Sequence, residues 1–179
     1  MLNRPTLAGI VSFILIFCAC PVALAQFWGI EERLVQAHAY EGDARPATQI
    51  ATVFAPFGIG PPYGYICKVD EKSVVKWRGC PAVVYLLPGT HQLTVRFVSG
   101  SASASPTVAF RAEAGKTYMV MPMMSGGKNI FGVEVPNSRV AASVSTMPKG
   151  FVLTYKDIDP VYFAKYPDKP NSPVNPLSP

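Results

Sequence analysis

The sequence predicts an all-β protein, a small antiparallel β-sandwich behind an apolar leader, and three observations predict it. From Gln49 onward, short runs rich in Val, Ile, Thr, Tyr and Phe alternate apolar and polar positions with a period of two. Pro and Gly turn signals punctuate these runs at "APFGIGPPYG", "LLPGT" and "SGGKN". The chain of 179 residues is one domain's worth once its leader is set aside.

The leader is "MLNRPTLAGIVSFILIFCACPVALA", residues 1–25. A single charge at Arg4, an apolar run from Leu7 to Cys20 and the small-residue pattern Ala23-Leu24-Ala25 form the layout of a secretory signal helix, with cleavage before Gln26. Two readings compete with it. The apolar run, if retained, approaches the roughly 20 residues that cross a bilayer. "IFCAC" resembles a weak lipobox that would place an acyl anchor on Cys20, with Phe17 where Leu is usual.

Residues 26–45 read as an N-terminal arm or short helix: Ile30, Leu34 and Ala37 fall at helical spacing, and Glu31 and Glu32 suit a helix N-terminus. His38, on this arm, reads as a surface residue. The sandwich occupies 46–158, with strand runs at "QIATVF", "YGYICKVD", "SVVKW", "AVVYLL", "HQLTVRF", "TVAFRA", "KTYMVMPMM", "IFGVEV", "VAASVS" and "FVLTYKDI". Pro88 and Gly89 fit the central positions of a type II turn. The strand that follows puts His91, Leu93, Val95 and Phe97 on its core face, with His91 at the rim. "SGSASASP" reads as a flexible loop, and residues 159–179, rich in proline and lacking an apolar period, as a disordered tail.

Losing the leader removes Arg4 alone among the charges, so the net charge falls from +5 to +4. The basic residues are spread out, and no basic run is interleaved with stacking aromatics, which argues against nucleic acid. Cys67 and Cys80 remain as an isolated pair, which in an oxidising compartment reads as a disulfide. The loop is short, and its closure is worth about 3 kcal/mol. Two buried free thiols are the alternative.

Catalytic patterns fail one by one. "SGGKN" lacks the spacing of a phosphate-binding loop, and "GIG" at Gly58 runs into Pro61 and Pro62 rather than a helix. No Gly-x-Ser-x-Gly is present, and two histidines do not assemble a zinc site. Asp157 and Asp159 share one face of an extended segment, yet Pro160 beside them makes turn chemistry the simpler account. No enzyme and no cofactor are expected. Weak ligand candidates are Tyr63, Tyr65, Trp77 and His91. Met119, Met121 and Met123 share a strand face and form a weak soft-metal alternative to plain core filling.

The segments "YEGDARPATQIATVF", "ICKVDEKSV", "LLPGTHQLTVRF" and "VAFRAEAGKTYMV" together resemble a group of uncharacterised bacterial exported proteins and lipoproteins. The shared plan is a Tyr-x-Gly-x-x-x-Pro opening, a Val-Asp-x-Lys hairpin, a Leu-Pro-Gly-x-His turn and an Ala-Gly-Lys-x-Tyr strand. The central hairpins are also similar to PEGA-type β-sandwich domains. Glu71 stands where such proteins often carry Gly. The resemblance covers about residues 40–135 and implies an Ig-like or PEGA-like sandwich, with no catalytic residue to carry over. The expectation is a non-catalytic periplasmic or membrane-held envelope module whose partners are envelope proteins or polymer, and which meets the membrane only through an uncleaved or lipidated N-terminus. A periplasmic carrier of a small ligand or soft metal is the alternative.

Overall fold

Alternating apolar residues build ten strands among the described residues, which are 35–56, 63–99, 101–128 and 134–176 of the computed structural model. The leader, Trp28 and the first half of the arm lie outside them. One sheet contains β1 (Gln36–His38), β2 (Ala51–Phe54), β5 (Val83–Leu86), β9 (Thr117–Lys128) and β10 (Glu134–Thr146), in the order β1-β5-β2-β9-β10. The second contains β3 (Tyr63–Val69), β4 (Lys72–Ser73), β6 (Gly89–Ser99), β7 (Ala102–Ala104) and β8 (Thr107–Ala112). Its centre is β6, which pairs β3 on one side and β7 and β8, end to end, on the other.

The sheets face each other across Val53, Leu86 and Val120 from the first and Ile66, Leu93 and Phe97 from the second, none more than 2% exposed. The two-sheet, all-β architecture read from the periodicity is present. It is not purely antiparallel, because β1 runs parallel to β5 and β2 parallel to β9. The chain alternates between sheets, and a strand that returns after such a crossing takes its direction from the crossing rather than from a hairpin.

Several segments differ from their sequence reading for identifiable reasons. The Leu87-Pro88-Gly89 turn does not close a hairpin; it carries the chain from β5 in one sheet to β6 in the other, and Gly89 opens β6 with φ 153°, a value that disfavours any side chain. "SGSASASP" supplies β7, because the backbone of Phe97–Ser99 continues past the end of β8 and takes its partners there. "VAASVS" and the end of "IFGVEV" belong to one strand, β10, with a register shift between Val135 and Arg139. "SVVKW" contributes only Ser73 to a strand.

In β3 the register slips between Ile66 and Lys68, so Cys67 is a bulge residue without a cross-strand partner. The extra residue shifts the phase of the strand. Ile66 and Val69, three apart, both reach the core, and Lys68 stays exposed. At the end of this strand Asp70 and Glu71 both take positive φ, 49° and 65°, the type I′ geometry that suits Asn-Gly or Asp-Gly. Glu71 is exposed there and carries the strain. Glu71→Gly is expected to stabilise the protein by about 1 kcal/mol, read as a higher urea midpoint at unchanged slope.

The outer face of the first sheet is covered as well. Phe54, Val83 and Tyr85 point that way and are at most 1% exposed. Phe151 stacks on Phe54, ring centroids 6.3 Å apart, and two short helices follow, α1 (Tyr155–Ile158) and α2 (Pro160–Lys165). This corrects two expectations: "FVLTYKDI" ends in a helix, and residues 160–165 are helical rather than extended. The physical reason is capping. Thr154 donates from its N–H and its hydroxyl to Asp157 Oδ2, and Asp159 Oδ1 accepts from Tyr162 N–H with Pro160 at the first helical position. Val174 N–H then donates to Leu153 carbonyl, which brings the proline-rich chain back alongside.

Candidate functional site

An open cleft of about 500 Å³ lies at one end of the sandwich, where the chain changes sheets. Its walls are the end of β1 with Tyr40 and Glu41, the β3–β4 hairpin with Asp70 and Lys72, and the corner at Leu87. Both histidines of the chain, His38 and His91, line it.

His91 sits at the head of β6, its side chain 14% exposed. Its Nδ1 lies 2.7 Å from Asp70 Oδ2 and its Nε2 2.8 Å from the Leu87 carbonyl. Both ring nitrogens thus lie at hydrogen-bond distance from protein oxygens, and neither is left free for a molecule in the cleft. A general base needs a free lone pair aimed at its substrate. His91 instead clips the sheet-changing corner to the β3–β4 hairpin. Asp70 completes the clip: its other oxygen accepts from Gln92 N–H at 2.8 Å, and its own N–H donates to Gln92 carbonyl at 2.8 Å.

Partial burial alone would raise the Asp70 pKa, but the hydrogen bonds from Gln92 and His91, with the charges of His91 and Lys72, outweigh it and hold the carboxyl below its ordinary value of 3.8. A depressed carboxylate contributes stability that is full above its unfolded pKa and lost as pH falls through the folded one. Asp70→Asn is therefore expected to lower stability at neutral pH and to flatten its fall below about pH 4. Chemical denaturation of both proteins from neutral to acid pH checks this; parallel curves would exclude the clip as an acid-sensitive element.

His38 is placed differently. Tyr40 stacks on it at 5.0 Å with an interplanar angle of 12°, Tyr85 meets it edge-on at 5.5 Å, and its Nε2 lies 3.0 Å from the Pro176 carbonyl. Beneath it the Tyr85 hydroxyl donates to Gln36 Oε1, and burial, with Tyr155 and Tyr40 nearby, raises the Tyr85 phenol far above its ordinary value. The aromatic wall is thus tied to the core rather than left loose.

Of the sequence-stated ligand candidates, His91 alone lines the cleft. Tyr65 lies half-buried on β3, and Tyr63 opens that strand. Trp77 stands apart, 87% exposed. Met119 and Met121 are half-buried and Met123 is 58% exposed, all on the face of β9 opposite Tyr118 and Val120. Asp157 and Asp159 are spent as helix caps. Among the described residues no group of three His, Cys, Asp or Glu is placed to hold a metal ion.

Cys67 and Cys80 form a disulfide, with Cα atoms 4.8 Å apart. It closes the base of a loop whose far end is a tight turn: Lys76 N–H donates to Gly79 carbonyl and Gly79 N–H to Lys76 carbonyl, both at 2.9 Å. Trp77 and Arg78 occupy the apex, and the Arg78 guanidinium lies 4.4 Å from the Trp77 ring centroid. Sequence reading found the cysteines and Trp77 but not this arrangement, nor Asp70 and Tyr40 in the cleft. A signal for Asp70 existed, since the Val-Asp hairpin and the Pro-Gly-x-His strand are both legible and pairing them brings Asp70 to Gln92. With these features set out, the chain stands by itself: no protein-family model, curated protein or solved structure gives a significant match to it.

Proposed function

We propose that the protein is a non-catalytic, exported cell-envelope protein that acts as an interaction or accessory module on an Ig-like or PEGA-like sandwich. The observation that carries this reading is where the disulfide lies. It fixes a solvent-facing tip, Val75 to Arg78, in which every residue is exposed, while Val74 beside it is anchored in the core. Rigid presentation of a surface loop lowers the ordering cost of binding. A disulfide also suits an oxidising compartment, and no helix among the described residues is long and apolar enough to cross a membrane.

The deciding experiment is the unreduced intact mass of the protein from membrane and soluble fractions of its native host. A chain beginning at Gln26 and carrying the disulfide is expected; a chain beginning at Cys20 with acyl groups keeps the envelope reading and adds a tether. Recovery from the cytosol with the leader intact and both cysteines as free thiols overturns it.

The cleft favours a second reading, a carrier of a small ligand, since about 500 Å³ lies within the range of small-molecule sites. A bound ligand would raise the melting temperature, and Tyr40→Ala would remove that shift.

A further inference from the structure

We infer that the Trp77–Arg78 tip docks the protein on an anionic phospholipid bilayer, an assignment that rests on the exported-module reading and names its partner. Four consecutive side chains, Val75, Lys76, Trp77 and Arg78, project without cover; Val75 is 50% and Trp77 87% exposed. An indole gains most at the boundary between headgroups and acyl chains, where its ring is apolar-solvated and its N–H stays wet. Its sequence neighbours Lys76 and Arg78 are both cations and both exposed, and the chain from Lys68 to Arg78 carries four cations, Lys68, Lys72, Lys76 and Arg78, against two acids, Asp70 and Glu71. Asp70 is already engaged by His91. The tip therefore offers exposed apolar surface flanked by positive charge, which complements anionic headgroups.

The pairing of the ring with Arg78 favours a headgroup layer over a sugar polymer, because the guanidinium 4.4 Å from the ring centroid covers one of the two faces on which a sugar would stack and brings a cation to the contact. At a headgroup layer the same pair is useful as it stands, the ring entering and the cation meeting phosphate. The doubly hydrogen-bonded turn and the disulfide hold the tip ready, so little ordering is left to be done on contact.

The test uses the full, disulfide-closed chain with Trp28→Phe, which leaves Trp77 as the remaining tryptophan of the two. Emission is read in vesicles of phosphatidylcholine alone and of phosphatidylcholine with phosphatidylglycerol, each with and without brominated acyl chains. The expected result is a blue shift and bromolipid quenching of Trp77 in the phosphatidylglycerol vesicles, weakened by salt. Removing both cations with Lys76→Gln and Arg78→Gln lowers the inserted population about 30-fold, taking about fivefold per cation near an anionic surface. Quenching by bromolipid reports the position of the tip itself, so an apolar leader that anchors the chain does not produce the charge dependence.

Water-like Trp77 emission in both vesicle types overturns the inference. So does a blue shift with soluble peptidoglycan fragments but no bromolipid quenching, which would make the tip a polymer reader. The mass measurement above is independent: a cytosolic, reduced chain sinks the exported reading even if the tip partitions, and an exported chain with an unquenched Trp77 sinks the tip alone.

Discussion

Phe163→Ala is expected to lower the stability of the protein by about 3 kcal/mol or somewhat more, the ordinary cost of deleting a buried phenyl ring. Phe163 lies on α2, a helix of six residues, and is 6% exposed. A helix that short has no stability of its own in water, so it persists through what it buries and how it is capped. Losing the ring removes the burial and leaves only the Asp159 cap. Denaturant unfolding followed by tyrosine and tryptophan emission would show the loss as a lower midpoint. Val161→Ala, two residues away on the opposite side of the helix and 55% exposed, should stay within about 0.5 kcal/mol. Equal, negligible effects at both positions would mean that the segment after Asp159 is a solvated tail.

That contrast shows what kind of information the sequence carries in the open. Period-two alternation made β2, β5, β6 and β8 legible, because each buries one or both faces in a regular lattice; Leu93, Val95 and Phe97 are buried as their spacing requires. The bulge at Cys67 was not legible, since one inserted residue leaves composition unchanged while reversing the phase of everything after it. The C-terminal layer was hidden for a different reason. Prolines and charges dominate its composition, and its anchors change spacing, from a strand-like period of two at Phe151, Leu153 and Tyr155 to no regular period at Ile158 and Phe163. The cap signals were present in Thr154-x-x-Asp157 and Asp159-Pro160, but a reading led by periodicity gave them to a turn.

The site was legible in parts. The turn chemistry located His91 at a rim, and the geometry adds why it is there: its two nitrogens join a backbone carbonyl of the sheet-changing corner to a carboxylate of the neighbouring hairpin. His38 and His91 share one cleft only because β1 aligns with β5, a parallel pairing of three residues that no local pattern announces. Long-range pairing of this kind is set by which edges remain open after the longer strands have paired.

Removing the disulfide, with Cys67→Ser and Cys80→Ser together, is expected to cost about 3 kcal/mol and to lower the melting temperature by about 10 °C. The two cysteines are 13 residues apart in sequence, and tying them removes unfolded conformations that the open chain would regain. The loss should not fall evenly on the native state. Ile66 N–H donates to Pro81 carbonyl and Val74 N–H to Cys67 carbonyl, so the base of the loop keeps backbone bonds to β3 without the sulfur bridge. The Lys76–Gly79 turn has only its own two bonds and an exposed apex. Amide exchange at Lys76 and Gly79 should therefore accelerate more than exchange at Leu93 and Val95, buried residues on the central strand of the second sheet. A uniform acceleration would mean that the bridge acts on global stability alone; a selective one would mean that oxidation is what holds Trp77 and Arg78 in their presented form, and that a reducing environment disarms the tip before it unfolds the sandwich.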